Sequence, residues 1–154
     1  MSAVRLRRMR EADLEPVMAL AASLKDAPHW RRDAYLLALD EGATPRRIAL
    51  VAEDAEAGTV MGFAVACLLS PQAELESIAV AEAAQRRGIG RKLFFAMVEE
   101  LEAAGVCEVL LEVRASNQRA RGFYRSLGWN EAGIRPRYYA DPEEDAVLMS
   151  LKLE

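Results

Sequence analysis

Gln85-Arg86-Arg87-Gly88-Ile89-Gly90 stands between two segments of different periodicity, and that placement decides the fold class. Before it, Glu74 to Val80 reads as a strand; after it, Leu93, Met97, Leu101 and Ala104 repeat along one stripe of a helix from Arg91 to Ala104. Gly105, just past the stripe, is the stop signal. A strand that passes through Gly88 and Gly90 into a helix lets backbone N–H groups converge on an anion. The helix dipole adds roughly 0.3–1 kcal/mol per charge, and Arg86, Arg87 and Arg91 supply direct phosphate contacts. The dinucleotide fingerprint is excluded because Leu93 takes its third glycine's place, and the P-loop because no Gly-Lys-Ser/Thr follows.

Outward from this loop the elements alternate in type. Val4 to Arg8, Ile48 to Ala52 and Val60 to Leu69 read as strands, the last two joined by a turn at Ala57-Gly58. Glu11 to Leu24 and Arg31 to Leu39 read as helices. Val106 to Val113 is the next strand, Asn117 caps a helix that closes at Gly128, and final strands run near Trp129 to Ile134 and Ala146 to Leu151. The sum is an α/β chain with a mixed sheet and helices on its faces.

The 154 residues are 52% hydrophobic and 29% charged, with no linker or repeat, so they read as one domain over 1–154. A chain of this length buries roughly 70% of its unfolded surface and needs neither metal nor disulfide. Lys and Arg number 20 against 24 Asp and Glu, and the net charge of −4 argues against a general nucleic-acid binder. The first 20 residues lack a signal-peptide core, and no stretch approaches the ~18 apolar residues of a membrane span, so a cytoplasmic home without membrane partners is expected. Cys67 and Cys107 then read as reduced, mostly buried thiols, and a single His with no Cys/His cluster predicts no metal. Charge is segregated: Ile48 to Ala84 holds six acids and no base, whereas Arg86, Arg87, Arg91 and Lys92 arrive together, followed by Arg114, Arg119, Arg121 and Arg125.

The Gln-x-x-Gly-x-Gly loop resembles the pyrophosphate loop of the GNAT acyl-CoA N-acyltransferases. The likeness extends to Ser77-Ile78-Ala79-Val80, Leu111-Glu112-Val113-Arg114-Ala115-Ser116-Asn117, Phe123 to Trp129, and Tyr138-Tyr139 followed by Glu144-Asp145-Ala146 and Met149. Over nearly the whole chain these segments are similar to the RimI-type N-terminal protein acetyltransferases. The resemblance implies a GNAT fold: a central mixed, mostly antiparallel seven-stranded sheet, about four helices on its faces, and a splayed acetyl-CoA cleft between the fourth and fifth strands. It also implies acetyl-CoA as co-substrate, a protein N-terminus as acceptor, and a monomer or weak homodimer. The helix Gln118 to Leu127 departs from the family, carrying Arg119, Arg121 and Arg125 where members often have apolar or small residues.

Acetyl transfer to an amine needs a neutral nucleophile, a polarised thioester carbonyl and a proton for the departing thiolate. Glu112 interrupts Val109-Leu110-Leu111-Glu112-Val113, a run that otherwise reads as a central strand buried on both faces. A carboxylate in such a place is paired with an Arg or functional, and the resemblance makes it the general base. Glu74 and Glu76 share one face of the preceding strand, and Glu74 ranks second, as an amine-orienting group or auxiliary base. The resemblance further assigns Tyr124 as the acid that protonates the thiolate. It gives Asn117 to the CoA arm, backbone groups of Ile78, Ala79 and Val80 to the pantetheine and carbonyl, and Arg86, Arg87, Gly88, Ile89, Gly90 and Arg91 to the phosphates. Tyr138 and Tyr139 line the peptide entrance, where Glu74, Glu76, Asp141, Glu143 and Glu144 would draw a basic peptide.

Deprotonating an α-amine of pKa ~7.8 at neutral pH costs roughly 1 kcal/mol, against about 4–5 for a Lys amine of pKa ~10.4. One carboxylate acting through water, worth ~10² to 10⁴-fold, suffices for the α-amine. By resemblance the target is the N-terminal alanine of a small-subunit ribosomal protein. A transferase for small amines or lysine, and a non-catalytic acyl-CoA sensor, are the alternatives; the presence of both Glu112 and Tyr124 disfavours the sensor.

Overall fold

Strands built on a continuous apolar run must be covered on both faces, and two strands here are: β2 (Arg47–Asp54) and β3 (Val60–Leu69) are buried along nearly their whole length. They lie inside a seven-stranded sheet of order β1-β2-β3-β4-β5-β7-β6. The other strands are β1 (Val4–Arg8), β4 (Gln72–Val80), β5 (Glu108–Arg114), β6 (Asn130–Ala140) and β7 (Glu143–Lys152). A computed structural model describes residues 3–25 and 27–153.

Helices α1 (Leu14–Ala22) and α2 (Arg32–Leu39) bury Leu14, Val17, Leu20 and Tyr35 against Val51, Phe63, Val65 and Ala79 on one face of the sheet. The opposite face receives α3 (Ile89–Ala103), whose Leu93, Met97 and Leu101 are buried among Leu50, Ala64, Leu75 and Leu111. Tyr124 of α4 (Gln118–Ser126) and Trp129 join that second core. A charged knot ties the first segment down: Arg7 donates from both terminal nitrogens to Asp13, each at 2.8 Å, and also to Glu53 at 3.0 Å. Arg7 thereby holds the Asp13 carboxyl below the ordinary carboxylate range.

The sequence placed the seven strands and four α-helices, the structure moves several ends, and a 3-10 turn at Glu82–Ala84 was not expected. The first helix begins as a 3-10 turn over Glu11–Asp13 and stops at Ala22. α3 starts at Ile89, two residues before the expected Arg91, because Gly88 with φ 75° forms its cap. β6 runs on to Ala140 rather than ending at Ile134, since it pairs with β7 as far as Ala140–Glu143. Gly105 and Gly128 close α3 and α4 with positive φ, and the Asn117 side chain accepts from Ala120 N at 3.1 Å, as a cap should.

Two expectations are corrected. β5 is not buried on both faces: its burial alternates, with Val109, Leu111 and Val113 in the core and Leu110, Glu112 and Arg114 half-buried. The reason is that α1 and α2 cover β2, β3 and β4, whereas β5 lies beyond them. The two thiols are free, but only Cys67 is buried; Cys107 is exposed in the loop after α3.

Candidate active site

All neighbouring strands are antiparallel except β4 and β5, and these pair over three positions only, the last being Glu74 with Leu110. Past that point β4 has no strand partner on the β5 side, so Ile78, Ala79 and Val80 present their backbone edge to a gap. A β-bulge between Leu75 and Ser77 reorients β4 just as it enters this gap.

At the end of β4 the chain makes the glycine loop. Arg86 (φ 67°) and Gly88 (φ 75°) are both left-handed, which folds the backbone back on itself before α3. No side chain caps α3, leaving the first N–H groups of Ile89, Gly90 and Arg91 facing the loop. Gly90 has a second reason to be glycine. A Cβ there would lie 3.3 Å from the Phe123 ring, a tight contact that the ring would have to shift slightly to accept. This cradle fits a phosphate group. Of the loop arginines, Arg86 is exposed, Arg87 directs Nη1 to the Met61 sulfur at 3.6 Å, and Arg91 leans along α3 onto Phe95, 5.5 Å from its ring centre.

Glu112 and Tyr124 lie on opposite faces of the sheet. Leu111 and Val113 share a core with Tyr124, and strand alternation turns Glu112 the other way. Tyr124 packs on Phe123 and Trp129, with ring centres 5.4 and 5.5 Å away, and burial pushes its hydroxyl well above the usual tyrosine range.

On the other face a cluster gathers. Glu112 Oε2 is buried and accepts no hydrogen bond, and Arg135 Nε approaches it at 3.8 Å. Burial, then the charges of Glu76 and Glu112, pushes the Glu74 carboxyl up from its ordinary value. The Glu112 charge is also the main cause of an upward shift at Tyr138. Tyr138 is exposed and Tyr139 half-buried, their rings edge to face at 5.1 Å. The structure thus brings Glu74, Glu112 and Tyr138 together.

Other acids are engaged elsewhere. Glu76 accepts from Arg47 at 2.7 and 3.2 Å. Glu144 accepts from the Ser116 backbone and from Arg114, and Glu143 pairs with Arg137 at 3.3 Å. Of the acids expected to draw a basic peptide, Asp141 is exposed at the hairpin tip, and Glu74 lies in the cluster beside Glu112. Two arginines were missed by sequence reasoning. Arg114 lies 4.3 Å from the Tyr139 ring centre and donates to Pro142 O, so it fixes the tyrosine hairpin to the end of β5. Arg135 reaches Glu112 from β6. Nothing local in the sequence marks either contact, because each joins strands distant along the chain.

Residues 8–129 match the acetyltransferase (GNAT) family model. The chain belongs to the GNAT family. This GNAT chain is 45% identical over 98 residues to the [ribosomal protein bS18]-alanine N-acetyltransferase of Escherichia coli, covering 62% of this chain and 66% of that protein. The Salmonella typhimurium protein of the same name is 42% identical over 116 residues, 74% of this chain and 76% of that one. In structure, the crystal structure of the ribosomal-protein-S18-alanine N-acetyltransferase from Escherichia coli superposes with a TM-score of 0.85 and 32% identity, covering 99% of this GNAT chain and 95% of that one. The seven strands, the four helices and the parallel pair that opens into a gap are the architecture the resemblance implied.

Proposed function

We propose that this chain is an acetyl-CoA-dependent N-acetyltransferase of protein N-terminal α-amines, with the N-terminal alanine of a small-subunit ribosomal protein as its target. The names of the relatives support the acceptor. One observation supports the chemistry: the β4–β5 pairing stops at Glu74–Leu110, two residues short of Glu112, and Glu112 and Tyr124 lie on opposite faces of the sheet.

In this reading acetyl-CoA lies in the opening. Its phosphates rest on the loop Arg86, Arg87, Gly88, Ile89, Gly90 and Arg91, its pantetheine runs along the backbone of Ile78, Ala79 and Val80, and Asn117 holds its arm. The acceptor amine enters past Tyr138 and Tyr139 on the other face. Glu112, through water, takes a proton from the amine, and the nitrogen attacks the thioester carbonyl directly in a ternary complex. The C–N bond forms, the C–S bond breaks, and Tyr124 gives its proton to the departing thiolate. Burial keeps the Tyr124 hydroxyl protonated and raises it above the usual tyrosine range, so the proton moves only to a strongly basic centre such as the thiolate as it forms. Glu74, its carboxyl pushed up, orients the amine or assists as a second base. The reaction takes place in the cytoplasm, by a monomer or weak homodimer; no helix among the described residues is long and apolar enough to cross a membrane.

The deciding experiment is acetyl-CoA-dependent acetylation read by mass spectrometry on peptides that differ in their first residue, with an N-blocked Lys peptide and spermidine alongside. Label confined to free N-termini, strongest on alanine, is expected. Label on spermidine or Lys alone would move the acceptor to that class, and binding of CoA without turnover would remove the enzyme assignment.

A further inference from the structure

We infer that Arg119, contributed by the first turn of α4, is a phosphate-binding cation of the coenzyme site and completes from across the cleft the charge that the loop itself only partly supplies. The inference rests on acetyl-CoA being the co-substrate.

The sequence concentrates positive charge at the loop, but the structure disperses it. Arg91, exposed, leans along α3 over Phe95, Arg87 directs Nη1 to the Met61 sulfur, and Arg86 is exposed on the loop, so the three cations spread around the loop and do not converge from the α4 side. Meanwhile Arg119, more than 30 residues away in sequence, donates from Nη2 to Gln85 Oε1 at 2.7 Å. Gln85 in turn donates from Nε2 to Val80 O at 3.0 Å. These two bonds form a polar bridge from the free end of β4, through the first residue of the loop, to the start of α4.

The bridge spans the two halves of the cleft. Val80 and Gln85 belong to the β4–α3 half, Arg119 to the β5–α4 half, and the strands of these halves cease to pair after Glu74. Arg121 does not share this position: it binds Glu131 at 2.8 Å and the Ala115 carbonyl, so it braces α4 against the strand that follows. Arg119 is exposed and its bond goes to a neutral amide, not a carboxylate, so its charge is not neutralised by that contact. A guanidinium with five donors keeps the Gln85 bond and still offers N–H groups to a phosphate oxygen. The loop N–H groups and Arg119 then hold one anion from two sides.

The test is calorimetric titration of the whole protein with CoA and with 3′-dephospho-CoA, for wild type, Arg119→Ala and Arg119→Lys. Loss of one charge-assisted hydrogen bond is expected to weaken CoA binding about tenfold in Arg119→Ala. Arg119→Lys keeps the cation and should stay within about threefold of wild type. An equal loss for 3′-dephospho-CoA assigns the contact to the diphosphate, and a loss seen with CoA alone assigns it to the 3′-phosphate. CoA affinity in Arg119→Ala within twofold of wild type would overturn the inference. So would Arg119→Lys as weak as Arg119→Ala, because a cation kept at this position would then contribute nothing to CoA binding. Failure of the wild type to bind CoA at all would instead refute the co-substrate itself, a distinct result visible before any variant is made. An unchanged thermal unfolding midpoint shows that each variant is folded.

Discussion

Arg135 on β6 places its Nε 3.8 Å from Oε2 of Glu112 on β5, although β7 separates the two strands in the sheet. The reach is possible because β6 leaves its register with β7 between Arg135 and Tyr139, which turns this stretch over the face of the sheet. Arg135 is largely exposed, so the pair is a weak one, worth about 0–1 kcal/mol. An arriving ammonium group competes for the same carboxylate. Arg135→Ala is therefore expected to lower the KM for an acceptor peptide by about two- to fivefold, with the difference shrinking at high salt. Steady-state kinetics at two ionic strengths would check it; a rise in KM would mean that Arg135 binds the acceptor and does not compete with it.

Glu112→Gln removes the proposed proton acceptor without changing shape. Turnover at neutral pH should fall by ~10² to 10⁴-fold and recover partly as pH rises and the amine loses its own proton. A pH–rate profile parallel to that of wild type would remove Glu112 as the base.

Tyr124→Phe keeps the ring that packs on Phe123 and Trp129 and deletes only the hydroxyl. The expected outcome is a kcat lower by about 10², unchanged CoA affinity and little change in thermal stability. Unaltered turnover would assign Tyr124 to the core alone.

Glu74 offers a test through stability. Its carboxyl is pushed above the ordinary value by burial and by the Glu76 and Glu112 charges, so the folded protein binds its proton more tightly than the unfolded chain does. The cost of the ionised group is absent below the ordinary pKa of about 4.3, grows as pH rises through the raised value, and is complete above it. Glu74→Gln should accordingly raise the thermal midpoint at pH 7, and the gain should vanish near pH 4. A variant less stable than wild type at pH 7 would show that the Glu74 charge is satisfied in the fold.

Local chemistry made the elements legible. Gly88, Gly105 and Gly128 mark ends because each adopts a positive φ that side chains resist, and Asn117 caps α4 because its short side chain reaches the Ala120 N–H. The loop, its glycines and the carboxylate within Leu111-Glu112-Val113 were readable for the same reason: each is a pattern of near neighbours. The strand β5 was misread as doubly buried because apolar composition reports what a segment tolerates, whereas its cover depends on where α1 and α2 end.

The amino-acid sequence by itself determined the alternation of strands and helices, the anion-cradling loop and the family resemblance, since these follow from periodicity and backbone freedom over a few residues. Only the tertiary structure decided that β4 and β5 part after Glu74 and Leu110, that Glu112 and Tyr124 occupy opposite faces, and that Arg119 closes on Gln85 while Arg91 turns away to Phe95. Strand register and the direction of long side chains are settled by contacts between segments tens of residues apart, and such contacts exist only once the whole sheet has assembled.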